Sequence, residues 1–153
     1  MAKVTAALIK EVREATGAPI MRAKQVLEEQ GGDVKKASEI LMKEGFEKTA
    51  KRAERETGQG VIKTYVHHTG KVAAMVEMLT ETDFVARNEL FQQLADNFAI
   101  QIASMNPKNE EELLQQEFIK DSSKTMESLM KEVIAKTGEN VRLGRFFRIE
   151  IGK

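Results

Sequence analysis

The stretch GVIKTYVHHTGKVAAMVEML, residues 60–79, decides the reading of the fold. Val61 to Val66 and Val72 to Leu79 are rich in β-branched and apolar residues, and His68-Thr69-Gly70 between them has turn composition. Two strands joined in this way predict an antiparallel hairpin. Alternation places Ile62, Thr64 and Val66 on one face of the first strand and Val61, Lys63 and Tyr65 on the other. In the second strand, Val72, Ala74, Val76 and Met78 oppose Ala73, Met75, Glu77 and Leu79. Apolar residues on both sides predict a strand that is central or covered on two faces.

Downstream of this hairpin the period becomes helical. Phe91, Leu94, Ala95, Phe98 and Ile102 form one stripe, and Asn106-Pro107 ends it. Residues 110–137 are expected to hold one or two further helices, with Leu113, Leu114, Phe118, Met126, Leu129, Met130 and Val133 available for packing. Phe146 to Ile151 alternates again and predicts a third strand. The order β-β-α-α-β gives a three-stranded antiparallel sheet with helices on one face. Its other face is left open, which predicts a partner surface or a second copy of the chain, hence a dimer.

Upstream, three short helices are expected. The first runs from about Thr5 to Ala15, with Val4, Ala7, Leu8 and Val12 at helical spacing and Gly17 as terminator. Pro19 suits the first turn of the second, whose apolar side is Ile20, Ala23, Val26 and Leu27. Asp33 is an N-cap for the third, which buries Val34, Ala37, Ile40 and Leu41 and stops at Gly45. Helices this short are marginal alone and must share a core. The chain is therefore α+β, divided into a three-helix domain over 1–46, a charged connector over 47–59 and an α+β core over 60–153. Interspersed acids and bases in the connector predict a solvated face that continues partly as helix.

Composition narrows the functional classes. Among 153 residues, 24 Lys and Arg balance 24 Asp and Glu, so there is no basic surplus to drive nucleic-acid binding. Aromatic residues are few, with no Trp to stack a base. The absence of Cys removes disulfides, thiol catalysis and thiolate metal sites. No secretory pattern and no long apolar run are visible, so a cytoplasmic protein without a membrane span is expected. His67 and His68 lie beside the turn, where alternation would point them apart and away from a shared metal. Gly58-Gln59-Gly60 lacks a preceding strand and reads as a domain junction, not a phosphate loop. Nothing pairs an acid with a base, so no enzyme chemistry and no cofactor are expected.

The unusual local feature is Thr80-Glu81-Thr82-Asp83-Phe84-Val85-Ala86-Arg87-Asn88. Thr82 or Asp83 can cap a first turn, and Asn88 can cap the longer helix that follows. Local physics leaves two readings open. In one, Phe84 and Val85 are a hydrophobic staple against Leu90 and Phe91. In the other, Asp83 and Phe84 are the tip of a projecting turn, and Phe84 anchors in a partner's pocket.

Four segments in order resemble the elongation factor Ts family, the guanine-nucleotide exchange factors of elongation factor Tu. They are Val12-Arg13-Glu14-Ala15-Thr16-Gly17-Ala18-Pro19-Ile20-Met21 with Lys24, Leu27, Gly32-Asp33 and Ala37 after it, then Gly60-Val61-Ile62, then Thr82-Asp83-Phe84-Val85-Ala86-Arg87-Asn88, and finally residues 135–146. The third is the most specific. The resemblance implies a ubiquitin-associated-like three-helix domain followed by a core dimerisation domain. It also implies contacts with the Tu GTPase domain through Arg13, Ile20, Met21 and Lys24, and through Thr82, Asp83, Phe84 and Val85. The implied mechanism has Asp83 and Phe84 wedging near the magnesium and phosphate region of Tu, in its GDP-bound and nucleotide-free forms, so that GDP leaves. One core copy over residues 59–150 resembles the short form of the family, which implies a homodimer in a two-plus-two complex with Tu. Two other classes remain as contrasts. One is an adaptor that binds polypeptides or ubiquitin-like proteins through Ala18 to Met21 without Phe84. The other is a ribosome-associated RNA binder using Lys48, Lys51, Arg52 and Arg55, against which the balanced charge counts.

Overall fold

Residues 3–153 are described in a computed structural model; Met1 and Ala2, where the amino-terminal domain begins in the sequence reading, lie outside them. Thr5 opens helix α1 (Ala6–Thr16) by accepting a hydrogen bond from the Leu8 N–H, and Gly17 closes it at φ +68°. Helix α2 (Ile20–Glu29) follows Pro19. Helix α3 (Val34–Arg52) starts at Asp33, whose carboxylate accepts from the Lys36 N–H. Val12, Ala23, Val26, Leu27, Ala37 and Leu41 make the shared core of this bundle.

The third helix does not stop at Gly45. It runs through the first part of the expected connector to Arg52. The reason is a contact made ninety residues later. A Cβ added at Gly45 would lie 3.1 Å from the Ala135 Cβ. The glycine is there for close approach of two helices, and its helix-weakening tendency is outweighed by that packing.

The sheet has the order β1 (Gln59–Val66), β2 (Val72–Thr80), β5 (Val141–Glu150), all antiparallel, with β2 central as expected. The hairpin register pairs Val66 with Ala73 and Gln59 with Thr80. Gly70 takes φ +68° in the connecting turn. The third strand begins five residues earlier than its clearest alternation, because Val141 and Leu143 are already buried on the helix side. Helix α5 (Glu89–Met105) packs across β1 and β2, supplying Phe91, Leu94, Phe98 and Ile102, each at or near zero exposure.

Between α5 and the last strand the chain is more divided than expected. It forms α6 (Glu110–Gln115), a small hairpin of β3 (Glu117–Phe118) and β4 (Asp121–Thr125), then α7 (Met126–Thr137). Phe118 is buried from that hairpin, not from a helix. Its anchor is Gln101, fully buried on α5: its amide donates to the Gln116 side chain at 3.2 Å and the Glu117 carbonyl at 3.0 Å. Its side-chain carbonyl accepts from the Ile119 N–H. Helix α7 packs on α3 as well as on α5, which joins the amino-terminal bundle to the core.

Candidate functional site

The segment after β2 is built by the last pair of the sheet ladder, Thr80 with Val141. Thr80 is fully buried. Thr82 then takes an extended conformation, and its hydroxyl accepts from the Val85 N–H at 3.3 Å, starting the single-turn helix α4 (Asp83–Ala86). Asn88 accepts from the Leu90 N–H to start α5, and the Gln92 amide donates to the Ala86 carbonyl at 2.6 Å. The turn is thus capped at entry and fastened at exit.

On this turn Val85 and Ala86 point into the core, whereas Phe84 is 90% exposed. Val85 is thus buried in the same core as Phe91, whereas Phe84 is no staple. Leaving a phenylalanine in water forgoes about 2 kcal/mol of burial, and nothing in the fold uses its ring. Beside it, Asp83 pairs with Arg87 at 2.8 Å, with both groups largely exposed. Such surface pairs contribute about 0–1 kcal/mol, so Asp83 can exchange Arg87 for another donor at little cost.

Two residues absent from the sequence-derived site hold the turn from the α7–β5 loop. Glu139 accepts the Thr82 N–H at 2.9 Å on one oxygen and the Thr82 hydroxyl at 2.7 Å on the other. Asn140 donates its N–H to Glu81 at 2.6 Å, and its buried side-chain amide donates to the Ala53 and Arg55 carbonyls. In the sequence they stood out only as members of the closing segment, residues 135–146. Their partners lie at least 57 residues away, beyond any local pattern.

The amino-terminal candidates form a second patch. Ile20 and Met21 open α2 and are 54% and 73% exposed. Lys24, one turn on, lies 3.9 Å from Glu28. Arg13 is turned toward the α1–α2 loop, donating to the Ala18 carbonyl at 3.3 Å. Ile20, Met21 and Lys24 therefore sit in the first half of α2, with Arg13 against the loop before it, while Thr82, Asp83, Phe84 and Val85 share the other turn. The two groups are built on different cores.

Those cores are nevertheless pinned together. A Cβ on Gly17 would come within 2.8 Å of the Lys136 Cα, so the α1–α2 loop lies directly on α7. Arg52 donates to the Ile134 carbonyl at 3.0 Å, and Arg55 pairs with Glu81 at 3.6 Å. Arg22, Glu44, Lys48 and Lys136 line the cleft of about 260 Å³ between the loop and α7. Within it the Arg22 guanidinium, hydrogen bonded to Glu44, holds that carboxyl below the usual range.

His67 and His68 differ from their expected arrangement. Both lie past the end of β1, where strand alternation no longer applies, and their ring centroids are 4.2 Å apart. His67 Nδ1 also lies 3.0 Å from the Tyr65 hydroxyl. Among the described residues no group of three or more His, Cys, Asp and Glu is arranged to hold a metal, and no helix is long and apolar enough to cross a membrane.

The family model of elongation factor Ts matches residues 81–153, beginning at the turn that carries Phe84. Elongation factor Ts of Nitratidesulfovibrio vulgaris is 40% identical, with 97% of both chains covered. That of Oleidesulfovibrio alaskensis is 38% identical, over 99% of this chain and 100% of its own. That of Leptospira biflexa is 39% identical, over 97% and 98%. The first alignment runs 194 positions against a chain of 153 residues, so at least 41 positions of it face no residue here.

Proposed function

The chain belongs to the elongation factor Ts family, and on that premise we propose that it is a guanine-nucleotide exchange factor for elongation factor Tu, with Phe84 as its wedge. The observation that carries the reading is a phenylalanine 90% exposed on a turn that is capped, fastened and clamped. A buried aromatic anchor is the type of side chain that concentrates binding energy at an interface. Here the pocket would belong to the GTPase, close to its magnesium and phosphate region, and Asp83 would bond there in place of Arg87.

Exchange in this manner needs no acid, base or cofactor. The factor has to bind nucleotide-free Tu more tightly than GDP-bound Tu, and the two ligands then weaken each other by the same coupling energy. A coupling of about 4 kcal/mol corresponds to roughly a thousandfold change in nucleotide affinity. Phe84 supplies part of it if its pocket exists only when the phosphate region has moved. Arg13, Ile20, Met21 and Lys24, on a ubiquitin-associated-like bundle, would add contacts to the same GTPase domain and hold the factor in place.

The outer sheet face supports the dimer. Ile62, Val66, Met75, Phe147 and Ile149 are all exposed there, on three adjacent strands. A second copy covering this face with its own gives a closed, two-fold arrangement and a two-plus-two complex with Tu.

The test is release of labelled GDP from elongation factor Tu by catalytic amounts of this protein. Acceleration that depends on Phe84 is expected, and no acceleration at all overturns the assignment. Equilibrium sedimentation is expected to give a dimer that Ile149→Lys dissociates; a monomer at micromolar concentration refutes the sheet-face interface.

A further inference from the structure

Building on the exchange reading above, we propose that Glu139 is the positioning residue for Phe84, fixing the wedge turn without itself touching the partner. The sheet register brings it there. Thr80 and Val141 are the final pair of the β2–β5 ladder, so residues 81–82 and 139–140 emerge side by side. Gly138, at φ +78°, ends α7 and reverses the chain so that Glu139 meets the start of the turn.

The hydrogen bonds then have one consistent direction. A threonine hydroxyl has one hydrogen to donate and lone pairs with which to accept. The Glu139 carboxylate can only accept, and its second oxygen lies 2.7 Å from the Thr82 hydroxyl. That commits the hydroxyl hydrogen to Glu139 and turns a lone pair toward the Val85 N–H. The other carboxylate oxygen takes the Thr82 N–H and shares the single hydroxyl hydrogen of buried Thr80, 3.1 Å away, with the Asn140 carbonyl at the same distance. One carboxylate therefore orients the cap of α4 and ties it to the sheet. A turn of four residues has little intrinsic stability of its own; burial of Val85 and Ala86 decides that Phe84 faces out, and this tie fixes the angle at which it projects.

The neighbouring residue extends the tie. Asn140 joins Glu81 to the carbonyls of Ala53 and Arg55, just beyond α3. The α7–β5 loop is consequently the common support of the wedge turn and of the helix that carries the amino-terminal bundle.

The test compares Glu139→Ala, Glu139→Gln, Phe84→Ala and the Glu139→Ala/Phe84→Ala double variant in GDP release from Tu, separating kcat from KM. Val133→Ala, a core truncation on α7, serves as a stability control. Glu139→Ala is expected to lower kcat about tenfold, the scale of lost charge-assisted bonds, with KM altered less. Glu139→Gln, which keeps one acceptor, is expected to recover part of the loss. In the Phe84→Ala background the Glu139 substitution should cost no more than about a further twofold, because it acts through the missing ring. Val133→Ala should lower the melting temperature while leaving kcat unchanged. Losses that multiply in the double variant overturn the proposal, as does an equal fall in kcat with Val133→Ala. Hydrogen exchange at the Val85 and Ala86 amides separates the clamp from the exchange reading. No acceleration there in Glu139→Ala refutes the clamp, whereas normal GDP release by Phe84→Ala refutes the wedge itself.

Discussion

Phe84 and Met21 occupy the same position in their helices, the second residue of the first turn, and both are exposed. They are supported by different means. Ahead of Phe84, Thr82 caps the turn with its side chain and is itself held by Glu139. Ahead of Met21 stands Pro19, which gives no side-chain cap. There the proline ring fixes φ, and the preceding loop rests on α7 through Gly17. A directional network suits a side chain that has to enter a pocket at one angle. Packing and a stiff backbone suffice for a patch that adheres in any nucleotide state. The difference predicts that Phe84 acts on kcat and that Ile20 and Met21 act on KM.

The largest effect expected is from Phe84→Ala, which should slow catalysed GDP release by about a hundredfold, the scale of a lost aromatic hot spot. Its melting temperature should barely move, because the ring is already in water. Phe91→Ala makes the contrast, since that ring is fully buried in the same core. It should cost about 3–5 kcal/mol of stability, measured by denaturant unfolding. A large loss of stability with Phe84→Ala and normal exchange would restore the staple.

Next in size is the double substitution Ile20→Ala/Met21→Ala. If, as proposed, these two side chains contact Tu equally before and after GDP departs, their loss should raise KM by about tenfold and leave kcat near its starting value. An equal fall in kcat would mean that the two patches work as one unit through the α3–α7 contact. Gly45→Leu examines that contact directly. In an isolated helix the change would be favourable. Against the Ala135 methyl group it should instead cost about 1–3 kcal/mol by overpacking. A thermal melt showing stabilisation would place Ala135 elsewhere.

These expectations mark how much the sequence could tell. Caps announce themselves locally, and Gly17, Asp33 and Asn88 all stand at the ends they suggest. The hairpin and the faces of its strands followed from alternation and a turn. Gly45 misled because a lone glycine looks the same whether it ends a helix or admits another one. The β3–β4 hairpin is too short for any period to register, and its organiser, Gln101, lies on a different element. At the candidate site, the motif around Phe84 was legible, but the direction of its ring was not. A staple and a probe have the same local sequence; only the placement of Val85 in the core forces Phe84 outward. Glu139 was least legible, since its role arises from a strand register that joins residues more than fifty positions apart.

The smallest effect concerns acid, and it bears on the amino-terminal half of the comparison. Arg22 on α2 and Glu44 on α3 are hydrogen bonded, with side chains about one-third exposed. The Arg22 guanidinium, hydrogen bonded to it, depresses the Glu44 carboxyl against the opposing pull of burial, with a lesser contribution from Lys48. A carboxyl lowered by folding contributes stability that is fully present above its unfolded value and disappears as pH falls through its folded value. The bundle should therefore lose this contribution only on the acid side, below the ordinary glutamate range. Arg22→Ala should lower the melting temperature modestly at neutral pH and flatten that acid-side decline. Two-dimensional NMR following α2 and Phe84 separately through the titration distinguishes the outcomes. Early loss confined to α2 supports independent bundles, whereas simultaneous loss at Phe84 shows that the α7–β5 loop transmits the change.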